Sequence, residues 1–200
     1  MLIAVTGGAG SGKSAFAESC VQRLPGRRIY LATMRPSPGE GERRILRHRA
    51  LRAGKGFETI EKARYLQTID REILSGSVVL LEDLSNLSAN AFFPEEGDQE
   101  KIQKTLRIPE DPLQEVSSGI RYLEECADHL VLVMNEVFSD GIHYGEETER
   151  YRKALALLER EAAERADLFV ELVFGIPLPL KGDLRVLGLE NPPHTVWEGA

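Results

Sequence analysis

The sequence predicts an α/β fold in which helices cover both faces of a doubly wound, mostly parallel β-sheet. First, short apolar segments alternate along the chain with segments of helical periodicity. Second, the short segments are apolar throughout, as in Val78–Leu81, rather than at every second residue. Such runs are typical of strands that are buried on both faces of a parallel sheet. Right-handed crossovers then bring a ligand site to the carboxyl ends of the strands.

The length of 200 residues predicts a single domain over residues 1–200, with an irregular C-terminal tail at 181–200. The net charge of −7 argues against a general nucleic-acid-binding surface, so no nucleic-acid partner is expected. Cys20 and Cys126 form no CxxC pattern, which argues against a disulfide scaffold or zinc ribbon and fits a reducing cytosol. No apolar run approaches the roughly 20 residues of a membrane span, so we expect a cytoplasmic protein without one.

In the first half of the chain the pattern predicts three strands and three helices. The first helix has Phe16, Cys20 and Leu24 at helical spacing and ends at Pro25-Gly26. The predicted elements are a strand at Leu2–Thr6, a helix at Ser14–Leu24, a strand at Ile29–Thr33, an arginine-rich helix at Glu40–Arg52, a helix at Ala63–Leu74 and a strand at Val78–Leu81.

The second half predicts two helices and two strands after a polar segment. Residues 93–111 are polar and flanked by prolines, so we expect a loop or a frayed helix there. The predicted elements are an amphipathic helix at Pro112–Ala127, a strand at Leu130–Met134, a long helix at Glu146–Ala166 with opposite charges four residues apart, and a strand at Leu168–Val173.

The strongest functional signal is a glycine-rich stretch between the first strand and the first helix. It matches the pattern G-x-x-x-x-G-K-[ST] of a phosphate-binding loop, or P-loop, in the context that the pattern requires. Glycines let backbone N–H groups converge on phosphate oxygens, and the helix dipole adds positive potential. We expect Lys13 to contact the β- and γ-phosphates and the Ser14 hydroxyl to ligate Mg²⁺. The stretch consists of Gly7, Gly8, Ala9, Gly10, Ser11, Gly12, Lys13 and Ser14.

Polar residues also follow later strands at the same predicted edge of the sheet. Glu82 and Asp83 end the third strand, where a carboxylate can meet Mg²⁺ or polarise an acceptor hydroxyl. Spacing does not distinguish the two, and a solvated strand end is the alternative. Asn135-Glu136 either positions a ligand or satisfies loop backbone groups. Among the histidines, His143 can line the site, whereas His129 is expected to be structural.

The predicted helix at Glu40–Arg52 contains five arginines and no acidic residue within Arg43–Arg52. Arg44, His48 and Arg52 are four residues apart and share one helix face. Surrounding cations lower the pKa of an imidazole, and a neutral imidazole is a nucleophile. The pattern suits covalent capture of a phosphoryl or nucleotidyl group at His48. The alternative is a solvated basic helix or a nucleic-acid contact in which His48 is incidental.

Together these motifs resemble the bifunctional adenosylcobinamide kinase / adenosylcobinamide-phosphate guanylyltransferase family of cobalamin biosynthesis. The resemblance extends over about residues 1–175. Many nucleotide-binding proteins share the P-loop, whereas R-I-x-x-H-R-x-x-R followed by T-x-E is far more specific. The matching pieces, in the family's order, are VTGGAGSGKS at Val5–Ser14, YLAT at Tyr30–Thr33, RILRHRALR at Arg44–Arg52, FETIE at Phe57–Glu61, LLED at Leu80–Asp83 with Asn90, and NEV at Asn135–Val137.

The resemblance implies a P-loop NTPase fold of the RecA-like kind and two reactions. The first phosphorylates the aminopropanol hydroxyl of adenosylcobinamide, with ATP or GTP as donor. The second transfers GMP from GTP to that phosphate through a covalent bond to His48. The implied cofactors are GTP, ATP and Mg²⁺, the partner is a corrinoid, and the assembly is a homo-oligomer, commonly a trimer. The implied guanine-nucleotide contacts are the P-loop together with Ala32, Thr33, Met34, Arg49, Ala50, Leu51, Arg52, Glu61 and Glu82.

The chain departs from the family pattern in its C-terminal half. Where the family has R-D-x-x-G-x-x-N in the long helix, Arg152 is followed by Lys153, Ala156 and Glu159. One alternative is therefore a transferase of the same fold with a different acceptor or with only one of the two activities. Another is a nucleotide-sensing or RNA-binding module that uses the arginine-rich helix, against which the acidic net charge argues.

Overall fold

The computed structural model describes residues 1–35, 54–95 and 108–190. Within these ranges the chain forms seven strands, five α-helices and two 3-10 turns, the latter at Leu66–Thr68 and Leu184–Leu187. The strands are β1 (Leu2–Thr6), β2 (Arg27–Ala32), β3 (Phe57–Glu61), β4 (Ser77–Glu82), β5 (His129–Val133), β6 (Leu168–Val173) and β7 (Ile176–Lys181). The helices are α1 (Lys13–Arg23), α2 (Arg71–Leu74), α3 (Leu84–Phe92), α4 (Pro112–Cys126) and α5 (Glu146–Arg165).

The strands form one sheet in the order β3-β2-β4-β5-β1-β6-β7. All neighbouring pairs are parallel except β6 and β7, which are antiparallel. β1 lies between β5 and β6, so that Ile3 is in register with Val131 on one side and with Leu168 on the other. The Leu2 N–H also donates a hydrogen bond of 2.8 Å to Asp167 Oδ2. The predicted doubly wound, mostly parallel α/β fold is confirmed.

Helices cover both faces of this sheet. One face packs against α1 and the C-terminal 3-10 turn, where Val21 and Leu184 are buried. The other face packs against α3, α4 and α5, which bury Leu87, Leu123 and Leu155. Every residue of β4 is buried, because the strand has helices on both sides. That burial explains why its sequence is a continuous apolar run.

The predicted helix at Ala63–Leu74 is wrong. The structure has the 3-10 turn at Leu66–Thr68 and the short helix α2 in its place. Tyr65 adopts a left-handed conformation with φ +57°, which interrupts a helix, and Asp70 begins a new one by accepting a hydrogen bond from the Glu72 N–H.

The sequence patterns also missed β3, α3 and β7. β3 and β7 are the two outer strands of the sheet and are only partly buried, and β7 contains Pro177 and Pro179, which edge strands tolerate. The tail expected to be irregular from residue 181 contains a 3-10 turn, in which Leu184 and Leu187 are buried. Residues 191–200, most of 93–111 and the predicted helix at Glu40–Arg52 lie outside the described residues.

Candidate active site

The P-loop connects β1 to α1, as its sequence pattern predicts. Gly7 has φ +152°, and a Cβ atom there would lie 2.7 Å from the Leu172 carbonyl oxygen and 2.6 Å from Ser11 Oγ. Gly10 and Gly12 also have positive φ values, of +72° and +93°. The loop therefore requires glycine both for backbone conformation and for its close approach to β6.

The cationic part of the loop lies at the N-terminus of α1. Lys13 is buried, and its Nζ donates a hydrogen bond of 3.1 Å to the Gly8 carbonyl oxygen. Gly12 precedes the helix and provides no side-chain cap for the first-turn N–H groups. Backbone N–H groups at a helix N-terminus, beside a lysine ammonium, form an arrangement suited to phosphate oxygens.

A short hydrogen bond joins the P-loop to β4. The Ser14 hydroxyl donates to Glu82 Oε1 over 2.5 Å, and Glu82 is a buried carboxylate at the carboxyl end of β4. A hydroxyl and a carboxylate oxygen this close together match the hard oxygen ligands that Mg²⁺ prefers, and nucleotide sites supply the remaining ligands from phosphates and water. The residues present therefore fit Mg²⁺ with Ser14 and Glu82 as its protein ligands.

Asp83, the other carboxylate that the sequence left open, has a different environment. Its Oδ1 accepts hydrogen bonds from the Ser85 hydroxyl and the Asn86 N–H, and its Oδ2 accepts one from the Asn86 side chain. These contacts make Asp83 the N-cap of α3. The structure thus separates the two acidic residues, with Glu82 beside the P-loop and Asp83 at the start of a helix.

Several residues expected to contact guanine nucleotide lie in one row across three strands. Ala32 at the end of β2 is in register with Glu61 of β3 on one side and with Glu82 of β4 on the other. Thr33 follows Ala32 and is fully buried, and its hydroxyl accepts a hydrogen bond of 2.8 Å from the Asp83 N–H. Glu61 is exposed.

Met34 comes next along the chain after Thr33 and is partly buried. Asn90 of α3 donates a hydrogen bond of 2.8 Å to the Thr33 carbonyl oxygen and so fixes the chain at this point. The structure therefore brings Ala32, Thr33, Glu82 and the P-loop together at one edge of the sheet. His48, Arg49, Ala50, Leu51 and Arg52 lie outside the described residues.

Of the two polar residues after β5, Asn135 bonds to α3 and Glu136 bonds within its own loop. Asn135 donates a hydrogen bond of 2.7 Å to Ser85 Oγ. Glu136 accepts hydrogen bonds from Ser139 Oγ, at 2.5 Å, and from the Phe138 N–H, at 2.7 Å, and these bonds lower the pKa of its carboxyl group. His143 is exposed in the same loop, and His129 begins β5, where burial lowers its pKa.

The sequence patterns did not reveal that Tyr151 and Glu159 of α5 are partly buried near other acidic groups. The Tyr151 hydroxyl donates a hydrogen bond of 3.0 Å to the Ser85 carbonyl oxygen, and burial raises the pKa of Tyr151 to about 12. Glu159 lies two turns further along, and burial together with the charges of Glu136 and Asp83 raises its pKa to about 7. Helical spacing could have predicted this partial burial, since Tyr151 and Glu159 share a helix face with the buried Leu155.

No helix in the described ranges is long and apolar enough to cross a membrane.

Among solved structures, one similar chain belongs to a prototypical ATPase from the type III secretion system of pathogenic bacteria. It is 14% identical with a TM-score of 0.47, and the match covers 85% of this chain and 50% of that one. This similarity is too distant to add to the assignment.

Curated relatives match nearly the whole chain. "Bifunctional adenosylcobalamin biosynthesis protein CobU" of Escherichia coli (strain K12) is 30% identical over 183 residues, which are 90% of this chain and 100% of that protein. CobP of Pseudomonas aeruginosa, with the same description, is 29% identical over 182 residues, covering 90% of this chain and 96% of the relative. CobU of Salmonella typhimurium is 29% identical over 183 residues, which are 90% of this chain and 100% of that protein.

The family model for "Cobinamide kinase / cobinamide phosphate guanyltransferase" matches residues 3–180. This match includes the P-loop and all seven strands of the sheet except the first residue of β1 and the last residue of β7. The resemblance found in the motifs is thereby confirmed, as is the prediction that the protein is an enzyme. The chain belongs to the cobinamide kinase / cobinamide phosphate guanyltransferase family.

Proposed function

We propose that this chain catalyses two successive transfers to one corrinoid. In the first, the aminopropanol hydroxyl of adenosylcobinamide takes the γ-phosphoryl group of ATP or GTP. In the second, the resulting phosphate takes GMP from GTP, and the products are adenosylcobinamide-GDP and pyrophosphate. The family membership and the description of the relatives as bifunctional adenosylcobalamin biosynthesis proteins support this proposal.

The hydrogen bond between Ser14 and Glu82 is the observation that carries the kinase half. It brings a buried carboxylate to the position where a P-loop nucleotide has its β- and γ-phosphates, beside Lys13. The acceptor hydroxyl oxygen bonds to the γ-phosphorus and its proton passes to water, while the bond from that phosphorus to the β–γ bridging oxygen breaks and the nucleoside diphosphate leaves. Lys13 and the backbone N–H groups of the loop offset the charge that develops. Ser14 and Glu82 would hold Mg²⁺, which would supply electrostatic stabilisation of the charge on the phosphates.

The guanylyl half uses the arginine-rich segment and the row of residues at the carboxyl ends of β2, β3 and β4. The His48 imidazole attacks the α-phosphorus of GTP, a P–N bond forms, and the bond to pyrophosphate breaks. The acceptor's phosphate oxygen then attacks the same phosphorus and releases the imidazole. Arg49 and Arg52 offset phosphate charge. Ala32, Thr33, Met34, Ala50, Leu51 and Glu61 complete the proposed contacts with the nucleotide, and the register of Ala32 with Glu61 supports this grouping.

A second candidate is an enzyme of the same family with another acceptor, or with only one of the two transfers. The observation that favours it is Glu159, which stands where the family pattern has Asn and adds a partly buried carboxyl group near Asp83 and Glu136. Such a group changes the charge and hydrogen bonding that an acceptor meets. An RNA-binding module is disfavoured by the net charge of −7.

Labelling with GTP tests the proposal. Protein incubated with α-³²P-GTP and Mg²⁺ should gain one GMP, and mild acid should release it, because a phosphoramidate is acid-labile and alkali-stable. Adenosylcobinamide and a phosphoryl donor should discharge the label into adenosylcobinamide-GDP. His48→Asn should remove the label and the second transfer while sparing the first.

His143→Asn is the matched control, since this exposed histidine should leave the label unchanged. A label that persists in His48→Asn and disappears in His143→Asn would reassign the nucleophile. A wild-type protein that phosphorylates the acceptor but never becomes labelled would favour the single-activity alternative.

We also propose that the enzyme is a homo-oligomer, most simply a trimer, as the family resemblance implies. Sedimentation velocity of the pure protein tests this against the 22.3 kDa of one chain. A species of monomer mass at working concentration would contradict it.

A further inference from the structure

The turn between β6 and β7 contains a phenylalanine whose backbone conformation is unfavourable for a bulky residue. Phe174 has φ +51° and Gly175 has φ +82°, which are the paired positive values of a type I′ hairpin turn. The first position of that turn favours Asn, Asp or Gly, and a bulky residue there is an outlier. The Phe174 side chain is 94% exposed, so packing within the chain does not compensate. Backbone strain that the fold does not require is a pointer to function.

This turn lies directly against the P-loop. The Gly175 N–H donates a hydrogen bond of 2.9 Å to the Ser11 carbonyl oxygen. A Cβ atom on Gly12 would lie 3.6 Å from Gly175 Cα, which is van der Waals contact. β6 is parallel to β1, so both strands end at the edge of the sheet where the P-loop begins. Phe174 is therefore attached, through its neighbour Gly175, to the phosphate-binding loop itself.

The turn and the proposed Mg²⁺ ligands lie on opposite sides of the loop. Ser14 is hydrogen-bonded to Glu82, and β4 lies on the β5 side of β1. The turn extends from β6, on the other side of β1. A triphosphate with its β- and γ-phosphates near Ser14 and Glu82 directs its nucleoside end away from them. The side of the loop opposite Ser14 and Glu82 is the side of β6 and of the turn that contains Phe174.

We propose that the Phe174 ring is a stacking platform for the purine base of the nucleoside triphosphate whose phosphates occupy the P-loop. The inference rests on the proposed kinase function and names the part of the site that binds the base. Base–aromatic stacking tolerates either purine, because each has a π-face. The ring therefore strengthens binding of ATP and GTP alike, and donor selectivity arises elsewhere.

The test compares ligands with and without a base, in proteins with and without the ring. The probes are Mg·ATP, Mg·GTP and Mg·tripolyphosphate, with Kd measured by isothermal titration calorimetry. Phe174→Asn removes the ring and suits a positive φ, so folding should be retained. We expect it to raise the Kd of the tighter-binding nucleotide about tenfold or more and to leave the Kd of tripolyphosphate unchanged. Phe174→Trp should keep the nucleotide affinity.

Ile176→Thr is the matched control, because Ile176 is a neighbouring exposed apolar residue on β7 and should not affect either Kd. Unchanged nucleotide affinity in Phe174→Asn would overturn the inference, and so would an equal loss for tripolyphosphate. A change in sedimentation with unchanged nucleotide affinity would also overturn it and make the ring a subunit contact. A wild-type protein that binds none of the probes would contradict the kinase function and the platform together, whereas the other outcomes contradict the platform alone.

Discussion

Lys13 is buried at the start of α1, with its ammonium 3.1 Å from the Gly8 carbonyl oxygen. Lys13→Ala removes the charge that we propose faces the β- and γ-phosphates, so we expect phosphoryl transfer to fall about 10³-fold. The free energy of unfolding should change by only about 1 kcal/mol, the worth of one hydrogen bond. Kinase assays with adenosylcobinamide and urea denaturation measure the two effects. Turnover within a few-fold of wild type would show that the loop does not hold the phosphoryl donor.

Glu82 and Asp83 are adjacent carboxylates, and substitutions at the two positions should affect different properties, namely phosphoryl transfer and stability. Glu82→Gln weakens the ligand set beside Ser14, so Mg²⁺-dependent phosphoryl transfer should drop by roughly 10²-fold while stability is nearly kept. Asp83→Ala removes the N-cap of α3 and should cost about 1 kcal/mol of stability. Asp83→Asn is the control, because Asn caps helices as well as Asp does. Equal kinase losses in Glu82→Gln and Asp83→Asn would contradict the division of roles.

The sequence could not separate these two residues, since both end the same apolar run. Their neighbours separate them. The Ser14 hydroxyl reaches Glu82, and the first turn of α3 reaches Asp83. The contact from Ser14 depends on tertiary placement, which strand periodicity does not contain, whereas the contacts of Asp83 are local but belong to α3, a helix that the sequence pattern missed. The P-loop, by contrast, was predictable residue by residue, because its glycines and Lys13 act through a local strand–loop–helix geometry.

Glu159 should make stability depend on pH. Its pKa is raised from 4.5 to about 7 in the folded chain, so the folded state binds more protons than the unfolded state between those values. Below about pH 4.5 Glu159 is neutral in both states and does not reduce the free energy of unfolding. As pH rises to about 7, the free energy of unfolding falls, because the carboxyl group ionises more readily in the unfolded state. Glu159→Gln should stabilise the nucleotide-free protein by about 1 to 2 kcal/mol at pH 8, a figure reduced for partial exposure, with little effect at pH 5.

Urea denaturation of wild type and Glu159→Gln at the two pH values measures this difference. Lys153 and Ala156, the other departures from the family pattern in α5, are exposed and provide the controls. Lys153→Asp should leave the pH dependence unchanged, and Ala156→Gly should cost about 1 kcal/mol at both pH values. A gain in Glu159→Gln that is the same at pH 5 and pH 8 would contradict the raised pKa.

At the scale of elements, a buried ion pair ties α4 to the chain that follows β3. Arg64 Nε and Nη2 donate to the two oxygens of Glu115 over 3.1 and 2.5 Å, and both side chains are at most 5% exposed. Glu115→Leu leaves the guanidinium buried without its carboxylate and should cost about 3–5 kcal/mol. The double change Arg64→Met/Glu115→Leu should recover most of that loss. Urea denaturation gives both values, and additive losses would contradict the pairing.

Burial decides which elements the sequence could reveal. β1, β4 and β5 are covered on both faces and read as continuous apolar runs, and α4 and α5 show regular helical spacing. β3 and β7 are outer strands with mixed patterns, so periodicity did not identify them. The predicted helix at Ala63–Leu74 fails for another reason. The left-handed backbone of Tyr65 has no signature in residue type.

For the whole molecule, the sheet explains how one chain can serve two transfers. Ala32, Glu61 and Glu82 end three neighbouring strands, and the bond from Ser14 connects this row to the P-loop. The sequence alone predicted that the strands with Ala32 and Glu82 end at one edge, because parallel strands end together, but it did not predict Glu61 there, since β3 was missed. It did not predict the contact of the β6–β7 turn with Ser11, since β7 itself was missed.

The position of β1 between β5 and β6 determines when the site can form during synthesis. β1 is translated before the other strands of the sheet, yet the hydrogen bond from Leu2 to Asp167 spans 165 residues, and β5 and β6 lie on its two sides. Pairings this distant in sequence require closure of a long loop before any contact is gained. Ribosome-bound chains halted before Leu168 should therefore not be retained on immobilised ATP, whereas chains extended well beyond β7 should be. A P-loop that is translated before the rest of the sheet thus becomes a nucleotide site only after β6 has been made.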